Sequence, residues 1–77
     1  MADSLTSLQQ QVLDYLRQHA YAAETAEGVM RVWLQRTATA SLVAELERAL
    51  DGLMERGLLE RHVLPGGTAV YRASRRN

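Results

Sequence analysis

The stretch 49-ALDGLMERGLLERHVLPGGTAVYRAS-74 holds the end of a helix, its stop signal and two strands in immediate succession. Leu46, Ala49, Leu50 and Leu53, with Leu42 or Val43 before them, form an apolar stripe at helical spacing. Gly57 follows the last residue of that stripe, where a left-handed glycine ends a helix, and Arg56 places a cation in the last turn. "LLERHV" and "TAVYRA" then read as short β-type runs. "PGG" between them supplies a fixed φ at proline and positive φ at glycine, as a tight turn requires. A two-stranded hairpin is marginal alone in water, so this one has to pack on the helices. Leu58, Leu59, Val63 and Tyr71 are its expected core contacts.

Working back from this stretch, Thr39 is placed to cap a helix over residues 40–56. "QRTAT" separates it from a second helix over residues 25–35, capped by Thr25, with Glu27 in the first turn. Ala26, Val29, Met30 and Trp33 form its apolar face, which assigns Trp33 to the core rather than to a binding surface. Gly28 costs about 1 kcal/mol against alanine inside a helix, so close approach of another backbone is expected there. The first helix opens at "TSLQ", with Thr6 and Gln9 in capping-box spacing. Leu5, Leu8, Val12, Leu16 and Ala20 follow on one face. "HAYAAE" carries no stripe and has room for a short extended piece. His19 is expected to interact with the last carbonyls of the first helix.

Seventy-seven residues with 47% hydrophobic and 23% charged side chains predict one globular domain over 1–77, its ends frayed at 1–5 and 75–77. Cysteine is absent, which excludes a disulfide scaffold and a thiolate metal site. His19 and His62 have no third ligand at metal-binding spacing. No apolar run is long enough for a membrane, and "MADSLTS" lacks the pattern of a secretory signal, so a cytoplasmic location is expected. No nucleophile motif or glycine-rich nucleotide loop occurs. The expectation is therefore neither an enzyme nor a cofactor carrier. All nine basic residues are arginine, a compositional bias of the kind seen in high-GC bacterial coding.

The order helix, helix, turn, helix, hairpin resembles the winged helix-turn-helix family of bacterial DNA-binding regulators. "LERALDGLMERGLLER" and "PGGTAVYRAS" carry the resemblance, through the spacing of Leu50, Leu53, Gly57 and Leu58 with Tyr71 on the return strand. It implies an α+β fold of three helices with a C-terminal two-stranded β-hairpin wing. Residues 25–35 would be the supporting helix and 40–56 the recognition helix in a major groove. The missing glycine in "QRTAT" departs from the usual turn between the paired helices. The implied partner is double-stranded DNA, bound as a monomer or a homodimer. The implied contacts are Thr39, Ser41, Ala44, Glu45 and Arg48 on the third helix. Arg61, Arg72, Arg75 and Arg76 would add contacts from the wing and tail.

The charges give mixed advice. Phosphate contacts dominate DNA affinity, yet the net charge is zero. Between Ser41 and Arg56 four acids face two arginines, a net of −2. Up to Glu60 there are five arginines against nine acids, and from Arg61 onward four arginines and no acid. Such a basic end suits phosphate or an acidic partner, and equally a solvated tail. Two readings follow: a DNA-binding regulator whose wing arginines supply the attraction, and a protein-interaction module using the acidic third helix or the basic wing.

Overall fold

The computed structural model describes residues 5–74. Helix α1 spans Ser7–Gln18, and its start is the expected capping box. The Thr6 hydroxyl accepts the Gln9 N–H at 3.1 Å, and the Gln9 Oε1 accepts the Thr6 N–H at 3.0 Å. Val12 and Leu16 face the core. Leu5 packs half-buried against it, although that position was expected to fray. Ala20 lies past the helix end and is exposed, so it is not part of the buried stripe.

The extended piece in "HAYAAE" is real and shapes the sheet. Strand β1 (Ala23–Glu24) pairs antiparallel with β3 (Ala69–Ala73), Ala23 opposing Arg72 and Glu24 opposing Tyr71. Strand β2 (Leu59–Val63) pairs with the other side of β3, from Leu59 opposite Ala73 to Val63 opposite Ala69. The hairpin is therefore two strands of a three-stranded sheet ordered β1-β3-β2, which corrects the two-stranded expectation. Two residues of β1 carry too little pattern to be read as a strand. They become one only because β3 offers them a free edge.

The second helix is shorter and less regular than residues 25–35 suggest. Thr25 caps it as expected, its hydroxyl accepting the Gly28 N–H at 3.1 Å. Helix α2 (Ala26–Gly28) then widens into a π-helical turn, Val29–Trp33, which closes when Leu34 N–H donates to the Val29 carbonyl at 3.0 Å. Gln35 reverses the chain at φ 54° without a glycine, and Arg36 N–H returns to the Met30 carbonyl at 2.9 Å. Gly28 is explained by a side chain and not by a backbone: a Cβ there would collide with the Glu24 carboxylate.

Helix α3 (Ala40–Glu55) starts at Thr39, whose hydroxyl accepts the Leu42 N–H at 3.3 Å. Its C-terminus is a Schellman closure. Gly57 takes φ 75°, its N–H donates to Met54 O, and Leu58 N–H donates to Leu53 O, both at 3.0 Å. In the hairpin turn Gly67 N–H donates to Leu64 O at 2.9 Å, with Pro65 second and positive-φ Gly66 third.

One core joins these elements: Val12 and Leu16 of α1, Val29, Met30 and Trp33 after α2, Leu46, Leu50 and Leu53 of α3, and Leu59 and Tyr71 of the sheet. Fully burying such a side chain contributes about 1.5–3 kcal/mol. Leu58 and Val63, expected in this core, are 41% and 53% exposed. Leu58 is the residue that closes the helix end, and Val63 sits at the turn end of β2, beyond the buried Leu59. Trp33 is core as expected, and its ring stacks on Tyr15 at 5.2 Å. His19 caps α1 through its backbone N–H to Tyr15 O, while its ring stacks on the same Tyr15 at 4.2 Å.

Candidate binding surface on the third helix and hairpin

The side of α3 away from Leu46, Leu50 and Leu53 is exposed, and Ser41, Ala44, Glu45 and Arg48 all lie on it as the periodicity implies. They do not form one uniform surface. Glu45 and Arg48 line a shallow groove with Thr6, Ser7, Leu8 and Gln9 at the start of α1. Thr39 is exposed, but its hydroxyl is engaged as the helix cap.

Arg72 is the largest departure from expectation. It does sit opposite Tyr71 in the pleat, on the outer sheet face, but it is not an available cation. Glu60 lies directly across from it on β2, and Arg72 Nε donates to Glu60 Oε1 at 3.1 Å. Both side chains are about one-third exposed (33% and 31%), so the pair is partly shielded from water. Arg61 is exposed and opposes Tyr71. Arg75 and Arg76 lie outside the described residues.

The other flank of α3 carries acids that the expected contact set omits. Glu47, Asp51 and Glu55 are exposed at successive i, i+4 positions, a ridge of carboxylates along the helix. Glu47 and Asp51 act on the Tyr71 hydroxyl. Burial raises the Tyr71 pKa above its ordinary value of 10.0, Arg61 works against this, and Glu47 and Asp51 reinforce it. The i, i+4, i+8 spacing was visible in the sequence. That the ridge turns toward the hairpin required the packing of α3 on the sheet.

Between α3 and the hairpin lies a depression lined by Thr25, Ala26, Glu27, Val43, Glu47, Thr68, Ala69 and Tyr71. It holds two carboxylates and no arginine. Among the described residues no group of three histidine or acidic side chains is placed to hold a metal, and no helix is long and apolar enough to cross a membrane.

No protein-family model matches this chain, and no curated protein matches it.

Proposed function

We propose that this chain is a protein-interaction module on a winged-helix-like scaffold, presenting the carboxylates of Glu47, Asp51 and Glu55 to a basic surface of its partner. The three helices and the sheet order β1-β3-β2 are compatible with that scaffold. The observation that carries the reading is the depression between α3 and the hairpin, where Glu27 and Glu47 are exposed and no arginine is among the lining residues. A duplex lying there brings phosphates against carboxylates, and like charges repel. Arg72 lies on the opposite sheet face from Tyr71 and is held by Glu60, which leaves Arg61 as the hairpin arginine on the Tyr71 side. A basic protein surface meets the same groups as complementary charge, which steers association and selects partners.

The second reading is a DNA-binding regulator of the winged-helix kind. It is favoured by the exposed Ser41, Ala44 and Arg48 on the outward side of α3 and by the exposed Arg61.

One paired titration separates the two. The ¹⁵N-labelled chain is titrated at low salt with an arginine-rich peptide and, separately, with random-sequence duplex. The interaction reading expects peptide-induced shifts centred on Glu47, Asp51 and Glu55 that fade as salt rises, and their loss in the Glu47→Lys/Asp51→Lys variant. Salt-dependent duplex binding centred on Ser41, Arg48 and Arg61, with no response to the peptide, overturns it in favour of DNA.

A further inference from the structure

Strand β2 forms one edge of the sheet, and among the described residues no strand lies on its outer side. The hairpin determines which backbone groups point there. Leu64 N–H donates to Thr68 O at 2.7 Å, and Ser74 N–H donates to Leu58 O at 3.2 Å. Hydrogen-bonded pairs alternate along an antiparallel ladder. Positions 58, 60, 62 and 64 therefore turn their backbone groups toward β3. Leu59, Arg61 and Val63 aim N–H and C=O at the open edge. Such a row is a ready template for another chain.

We propose that a second copy of this chain occupies the edge, its β2 pairing antiparallel with this β2 about a twofold axis through Arg61. The register follows from the backbone. A twofold axis normal to the sheet opposes residues of the same face. Centred on Arg61, it sets Leu59 against Val63 of the second copy and Arg61 against its counterpart, so every outward N–H and C=O of the three positions finds a partner. Centring on position 60 or 62 leaves one of the three unmatched. Those alternatives also set Glu60 against Glu60, or His62 against His62.

The side chains agree with this register. Leu58 meets Leu64 of the second copy just beyond the strand. Leu58, Val63 and Leu64 are 41%, 53% and 39% exposed, three of the five large hydrophobic residues in solvent. All three become apolar contacts of the joined edge. On the face that Leu58 and Leu64 share, Glu60 meets His62 of the second copy, a carboxylate against an imidazole. The unfavourable pair is Arg61 with Arg61, since directly opposed like charges destabilise a sheet. It lies on the Tyr71 face, where Glu47 and Asp51 of each copy act on the same hydroxyl as Arg61. The axis keeps both helical layers on one side of a continuous six-stranded sheet, so the two α3 ridges point the same way.

Sedimentation equilibrium of the full chain over a wide concentration range tests this. The expected result is a reversible rise from the 8.6 kDa monomer toward twice that mass. Arg61→Pro removes an N–H that the hairpin does not use and should weaken the dimer at least tenfold with the far-UV spectrum unchanged. Val63→Lys alters no backbone group, acts in the same direction, and serves where the proline disturbs the strand. Arg61→Cys, in a chain without cysteine, should cross-link across the axis on mild oxidation, because hydrogen-bonded pairs hold Cα atoms about 5.5 Å apart, within disulfide range. A chain that stays monomeric at its solubility limit overturns the proposal. So does a dimer that ignores Val63→Lys and does not cross-link through position 61.

Discussion

The Gln9 side chain fills the space that a Cβ on Gly52 would need. Its Nε2 donates to the Ala49 carbonyl at 3.1 Å while its Oε1 accepts the Thr6 N–H, so one side chain caps α1 and ties it to α3. Gln9 is the buried polar side chain among the core residues, and both ends of its amide are satisfied.

This geometry makes a coupled prediction. Gln9→Ala should destabilise the chain by about 1–2 kcal/mol, the loss of a cap and of a buried hydrogen bond. Gly52→Ala should be neutral or harmful in the native chain, because the new Cβ displaces the amide. In the Gln9→Ala background the same change should stabilise by about 1 kcal/mol, the helix preference for alanine. Urea denaturation of the four-member cycle measures this. Additive effects would mean that the two residues do not share the space.

Gly57 isolates a backbone effect. A Cβ there meets nothing within 4 Å, so only the φ of 75° opposes a side chain. Gly57→Ala should therefore cost about 1–2 kcal/mol, the left-handed penalty alone. An unchanged urea midpoint would sink the assignment.

Gln35 is the converse case, a non-glycine residue at φ 54°. Gln35→Gly should raise stability by up to about 1 kcal/mol, since the strain it relieves exceeds the flexibility it adds to the unfolded chain. A lowered thermal midpoint would show that the glutamine side chain makes a compensating contact.

Trp33 is 6% exposed and stacks on Tyr15 with ring planes 12° apart. Its emission should be blue-shifted in the native chain and move red on unfolding. Trp33→Ala should cost about 3–5 kcal/mol, a large share of the stability of a small domain. A solvent-like native emission maximum would contradict the burial.

Tyr71 predicts an alkaline limit. Burial favours its neutral phenol, so its pKa lies above 10.0 in the folded chain. A group raised on folding contributes stability that is fully present below its unfolded pKa and lost as pH rises through the folded value. The unfolding free energy should therefore fall above about pH 10, and Tyr71→Phe should flatten that fall. Arg61→Gln removes the opposing cation and should push the phenol titration higher still. An identical alkaline profile for Tyr71→Phe would assign the effect elsewhere.

Much of the fold was legible because its signals are local. Thr6 with Gln9, Thr25 with Gly28 and Thr39 with Leu42 each act across three positions, the reach of a cap. Gly57 acts within one turn of α3. The π-helical turn before Trp33 was not legible, because its apolar residues fit an ordinary helix equally well. In the candidate site, the outward direction of Ser41, Ala44 and Arg48 followed from the stripe that α3 buries. The fate of Arg72 did not.

The sequence by itself determined α1 and α3, the three threonine caps, the helix stop and the hairpin turn, since each depends on neighbours within one turn of chain. Tertiary structure alone decided that Ala23–Glu24 becomes a strand, that Gln9 reaches Ala49 across 40 positions, and that Glu60 opposes Arg72. These pairings depend on strand register and on how α1 and α3 pack. A shift of one residue in that register moves Arg72 to the other face of the sheet and breaks its pairing with Glu60. A cross-strand pair contributes only about 0.2–1 kcal/mol, so it leaves no mark on the sequence until the core has fixed the register.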